Sequence, residues 1–147
     1  MANQKMTAAQ ALKLYGQGYH CSQVVFGHAA EDLGMDINEA YRVSAGFGGG
    51  LFRGNVCGCV AGAIMALGLA YGHDEPNQTE VSAELTAKVL EFQRRFEEAN
   101  GSVLCKDLLG IDISLPGGVE EAKASGKMQT LCPRLAESAC EILDEML

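Results

Sequence analysis

The sequence predicts an all-α fold, a single-domain multi-helix bundle with a glycine-rich loop, and three observations predict it. Apolar residues recur at steps of three and four along most of the chain. Alternating apolar and polar runs, the mark of half-buried strands, are lacking. Caps and glycine stops bracket the periodic segments at helix-sized intervals. With 147 residues, 48% of them apolar, the chain is long enough to bury a core as one domain, 1–147, without disulfide staples.

Each element follows in order. Thr7 caps a helix to about Tyr15, with Ala8, Leu12 and Tyr15 on one face. Cys21 to about Leu33 reads as a second, with Val24, Val25, Phe26, Ala29 and Leu33 inward and Gly34 as its stop. Asn38 is expected to cap a third, through about Ala45, before the glycine-rich loop. From about Val56 to Leu69 the chain is almost wholly apolar, ending at Gly72. A helix apolar on all sides belongs in the middle of a bundle.

Pro76 and Asn77 mark a boundary. The clearest amphipathic pattern comes next, with Val81, Leu85, Val89, Phe92, Phe96 and Ala99 ahead of Asn100-Gly101. Its length suits either a bundle core or a homodimer contact. Ser102 opens a short helix through Leu108 and Leu109, closed by Gly110. Residues 111–118 read as a loop, Val119 to about Ala124 as a helical turn or two. Thr130 is expected to start the last helix, which carries Leu135, Ala139, Ile142, Leu143 and Met146.

Composition narrows the function classes. The formal charge is −8, and Lys88, Arg94 and Arg95 are scattered among Glu84, Glu91, Glu97 and Glu98. A nucleic-acid surface needs a basic stripe, so none is expected. The chain has no run of eighteen apolar residues, and Asn3, Gln4 and Lys5 follow its start. Neither membrane insertion nor a signal peptide is therefore expected, and the expected location is cytoplasmic. In that reducing compartment, six cysteines are more often metal-binding or catalytic than structural.

The cysteines fall at telling places. Cys21 opens its helix. Cys57 stands two residues after Asn55, Cys105 three after Ser102, and Cys132 two after Thr130, with Pro133 suited to a first turn. Four thiols thus sit at the starts of four helices. Unpaired N–H groups and the positive end of the helix dipole there favour thiolates, or an anionic metal–thiolate group. Cys59 would lie about 200° around a helix from Cys57. Cys140 lies about 12 Å along the last helix from Cys132. Both read as small core hydrophobes.

These motifs taken together resemble one family. C-S-Q-V-V-F at 21–26, G-F-G-G-G at 46–50, C-G-x-x-x-G at 57–62 followed by A-I-M-A-L-G-L, G-S-x-x-C at 101–105 with L-L-G-I-D, and Cys132 are similar to the C_GCAxxG_C_C family, whose members are described as redox-active. The resemblance implies that Cys21, Cys57, Cys105 and Cys132 are the functional four. This chain departs from the motif at Cys59, where the family has Ala, which makes Cys59 a fifth candidate ligand. The family in turn resembles the non-haem domain of split-Soret cytochromes. That implies an iron–sulfur cluster, [2Fe–2S] in type, passing electrons to a redox partner. The chain lacks C-x-x-C-H, so haem c is not expected.

The stretch G-F-G-G-G-L-F-R-G-N-V-C-G-C-V-A-G, residues 46–62, then has a role. Its first glycines allow a tight turn that brings bare N–H groups towards the sulfurs. Gly49, Gly50 and Gly58 are the glycines expected at the cofactor. Gly58 and Gly62 also permit a close helix crossing. His20 beside Cys21 and Arg53 in the loop are lesser candidates, for a proton carrier and for charge compensation.

Spacing by itself leaves alternatives open, because the four cysteines are far apart in sequence. Four thiolates also suit zinc in a structural module, although paired knuckle cysteines are missing. A metal-free thiol–disulfide protein needs a remote pair, or Cys57 with Cys59. An anion-binding loop would need the G-K-[ST] that this one lacks. Whether the protein is an enzyme is left open.

Overall fold

The computed structural model describes residues 4–147, and among these the fold is all-α, with a lone antiparallel bridge, Val56 to Leu104, as its β feature. No helix of the described residues is long and apolar enough to cross a membrane.

The helices are α1 (Ala8–Gly16), α2 (Cys21–Ala30), α3 (Ile37–Ser44), α4 (Gly58–Tyr71), α5 (Thr79–Asn100), α6 (Cys105–Leu109), α7 (Gly118–Ala124), α8 (Lys127–Thr130) and α9 (Cys132–Met146). Thr7 caps α1 as expected. Its hydroxyl accepts the Gln10 N–H at 3.1 Å and the Gln10 side chain accepts the Thr7 N–H at 3.2 Å, a reciprocal pair that satisfies two otherwise orphaned donors. Three starts differ from expectation. Asp36, not Asn38, caps α3 by accepting the Glu39 N–H at 3.1 Å. α6 starts at Cys105, and Ser102 instead accepts the Leu104 N–H at 3.0 Å. Thr130 ends the single-turn α8, and α9 starts at Cys132.

The apolar α4 occupies the centre, packed on α2, α5 and α9. Val60, Ala63, Ala66 and Leu67 are fully buried. Its crossing with α2 is close because Gly62 has no side chain. A Cβ there would stand 2.5 Å from the Ser22 carbonyl oxygen and 3.0 Å from the Phe26 nitrogen. On α5, Phe92 and Phe96 are fully buried, whereas Ala99 is exposed and Leu90 is 62% exposed. The stripe along α5 is thus only partly used by the core.

Buried polar side chains set where α2 begins relative to α3. The Ser22 hydroxyl donates to the Ser44 carbonyl at 2.6 Å and the Gln23 amide to the Tyr41 carbonyl at 2.9 Å. These bonds fix the end of α3, and with it the launch of the glycine loop, beside Cys21.

Candidate functional site

Cys21, Cys105 and Cys132 are the first residues of α2, α6 and α9, and Cys57 is the residue that caps α4. All four, together with Cys59, line one cavity of about 540 Å³. All the cysteines are free thiols. Cys140 lies apart, fully buried in the core side of α9.

Two of the thiols are brought together by the bridge before α4 and α6. The Cys57 N–H donates to the Val103 carbonyl at 2.7 Å, and the Cys105 N–H to the Asn55 carbonyl at 2.7 Å. Each bond falls on a cysteine, so this small ladder sets the Cys57–Cys105 spacing directly. Asn55, a good capping residue by type, serves in the ladder, and Cys57 caps α4.

Cys59 is buried in the core as the sequence suggested, 1% exposed, but it also lines the cavity. The 200° separation holds only if Cys57 is helical, and Cys57 has extended dihedrals, φ −52° and ψ 135°. Its side chain therefore leaves the helix path, and Cys59, in the first turn of α4, faces the same cavity. The Cys59 thiol lies close enough to Cys21 and Cys57 for their charges to act on it.

The electrostatics follow from these contacts. Cys21 is lowered to about 6, chiefly by the hydrogen bond from Cys59, against the opposing effect of burial and with help from the N–H groups of Gly49, Ser22 and Cys21 itself. Cys59, the donor in that pair, is held well above its ordinary value by Cys21, Cys57 and burial. Burial, then the charges of Cys57 and Cys21, push Cys105 up to about 12. Cys132 is likewise pushed up to about 12 by burial and by Cys21, Cys57 and Cys105. Burial also raises Cys140, but its charged neighbours are Asp144 and Glu141 rather than the other thiols.

The glycine loop reaches the site by an unusual route. After a turn at Ala45–Phe47, four consecutive residues are left-handed: Gly49, Gly50, Leu51 and Phe52, with φ between 58° and 63°. Glycine takes this conformation freely, but each non-glycine costs about 1–2 kcal/mol. Gly49 lines the cavity, and its backbone N–H helps lower Cys21. Gly58 lines it too, and a Cβ there would collide with the Cys21 sulfur and stand 3.1 Å from the Ser22 nitrogen. Gly50 lies outside the lining. A Cβ on it would collide with the Asn55 backbone, so its contribution is to the turn itself.

His20 stands on the exposed rim, its ring edge-on to Phe52 at 5.1 Å between centroids. Arg53 is exposed on the loop, outside the lining. Tyr15, read from sequence only as part of an apolar face, is a site residue. Its hydroxyl donates to the Cys132 carbonyl at 3.3 Å and lies 3.9 Å from the Cys59 sulfur. No sequence signal separates it from a core tyrosine. Leu12, Leu108, Ile113, Met128 and Leu135 make an apolar wall of the same cavity. Among the described residues, no group of three or more His, Cys, Asp or Glu side chains is arranged to hold a metal ion.

Known proteins add one match. The model of the family described as "Putative redox-active protein (C_GCAxxG_C_C)" matches residues 19–146. No curated protein and no solved structure matches the chain.

Proposed function

Because the chain belongs to the family described as "Putative redox-active protein (C_GCAxxG_C_C)", we propose that it is redox-active through an iron–sulfur cluster held by Cys21, Cys57, Cys105 and Cys132, which exchanges electrons with a partner. The observation that carries this reading is the convergence of four helix starts, each bearing a cysteine, on one cavity. Cys140, equally a thiol on an amphipathic helix, is excluded from it.

The donor set fits such a group. Thiolates are the ligands iron–sulfur clusters take, and four satisfy either common type. A lone tetrahedral zinc would draw its sulfurs to about 2.3 Å from one point. A cluster spreads its ligands over several irons, and the cavity of about 540 Å³ offers room for it. The [2Fe–2S] type is carried over from the split-Soret resemblance. Bound there, the cluster would supply one-electron redox capacity.

The chain's own residues do the rest. The Gly49 backbone N–H favours the Cys21 thiolate, and N–H groups beside a ligand stabilise negative charge on it. The apolar wall limits water at the thiols, and Tyr15 ties the start of α9 to α1.

Anaerobic reconstitution with iron and sulfide, followed by single Cys→Ser changes, tests the reading. Charge-transfer absorbance is expected in the wild type, to fall sharply for Cys21, Cys57, Cys105 and Cys132, and to survive at Cys59 and Cys140. A wild-type chain that takes up no iron would end it.

A further inference from the structure

Cys59 is the one thiol at the cavity that the four-ligand site leaves unused. We infer that Cys59 and Cys21 form an internal disulfide when a hydroperoxide meets the metal-free site, so that oxidation closes the site to its cofactor. The chemistry concerns the empty site and stands whether or not a cluster is the natural occupant.

Three observations carry it. Cys59 and Cys21 line the same cavity. The two lie at the starts of helices whose backbones meet at a glycine contact, since a Cβ on Gly58 would strike the Cys21 sulfur. The Gly58 contact thus sets the Cys21 sulfur against the residue preceding Cys59, and a disulfide needs the two Cα atoms within about 7 Å. Cys21 is also the more accessible of the pair, half-buried on the cavity, whereas Cys59 is 1% exposed.

Cys57 also touches Cys59 but is the worse partner. Its N–H is committed to Val103 at 2.7 Å, and its carbonyl accepts the Val60 and Ala61 N–H groups at 2.9 and 3.0 Å. Closing a bond between residues two apart would disturb both the ladder and the first turn of α4.

The steps balance without another reactant. The Cys21 sulfur attacks one peroxide oxygen, the O–O bond breaks, and Cys21 becomes a sulfenic acid as one water leaves. The Cys59 sulfur then attacks the Cys21 sulfur, the S–O bond breaks, and a second water leaves with the Cys59 proton. Two thiols lose two electrons and two protons, and one hydrogen peroxide becomes two waters. Because Cys21 belongs to both arrangements, the disulfide and the loaded site exclude one another.

The test uses the full chain, reduced and metal-free, treated with one equivalent of hydrogen peroxide. Two thiols of the six should be lost, and peptide mapping should join Cys21 to Cys59. Cys57→Ser should keep that bond. Cys59→Ala, which restores the family's residue, should lose it and leave a sulfenic acid at Cys21 that dimedone traps. Iron and sulfide should load the oxidised wild type only after a dithiol reductant is added. A dominant bond between Cys57 and Cys59, or one using Cys105, Cys132 or Cys140, would overturn the pairing, as would an undiminished internal disulfide in Cys59→Ala. If the reduced chain binds no iron at all, the cluster reading falls, while the peptide map still decides the pairing.

Discussion

At Cys21, backbone N–H groups from Gly49, Ser22 and Cys21 itself join the Cys59 thiol around a single sulfur. A thiol so placed ionises early, and its lowered value of about 6 sets the direction of a pH test. Alkylation of the reduced, metal-free chain by iodoacetamide should speed up as pH rises through about 6 and level off above it. In the unfolded chain the same rise should come near the ordinary thiol value of about 8.5. Between these values the unfolded chain binds the extra proton, so this group's contribution to stability is full above about 8.5 and is lost as pH falls through about 6. Cys105 and Cys132, pushed up to about 12, should stay unmodified at neutral pH. Mass spectrometry of each cysteine peptide reads all three. Gly58→Ala probes the same atom sterically: its Cβ would collide with the Cys21 sulfur. Overpacking of this kind costs about 1–3 kcal/mol, so the urea midpoint should fall and Cys21 alkylation should change, while Cys140 remains protected.

Among the elements, the left-handed turn has the least support from its own residues. Leu51 and Phe52 sit at φ 61° and 59° and are 50% and 51% exposed, so little burial offsets their backbone strain. The turn persists because Gly50 allows contact with the Asn55 backbone and because the ladder holds Asn55 to Cys105. Leu51→Gly should therefore stabilise the fold, by up to about 1 kcal/mol, with iron uptake preserved. Equilibrium urea unfolding measures it, and a clear loss of stability would show that the exposed leucine has packing the turn depends on. Helix extents at this scale were legible in the chain. Thr7, Gly72 and Gly101 bound α1, α4 and α5 where expected. The starts of α3, α6 and α9 were not, because Asn38, Ser102 and Thr130 are all good capping residues, and tertiary contacts chose other starts.

For the molecule as a whole, the candidate site is a property of the bundle rather than of any segment. Its cysteines come from four helices whose mutual placement depends on the α2–α4 crossing and on α9 packing against α1 and α4. Ligand binding to the folded state alone stabilises it by mass action. Loading with iron and sulfide should thus raise the urea midpoint, and on unfolding the charge-transfer absorbance and the helical circular dichroism should vanish in one transition. Loss of absorbance well before loss of helix would place the cluster on a locally unfolding part instead.

The sequence by itself determined the all-α class, the central place of α4 and the position of four cysteines near helix starts. These rest on periodicity and capping, which are local and written in neighbouring residues. Only the tertiary structure decided that Cys59 shares the cavity, that Tyr15 reaches Cys132, and that Gly50 supports a turn rather than lining the site. Each depends on a bond or a dihedral set from far along the chain. The bridge from Val56 to Leu104 pins Cys57 in extended backbone outside α4, and that one non-helical residue turns the Cys57 side chain off the helical path. Helical periodicity fixes side-chain direction only inside a helix, and the thiols stand at its edge.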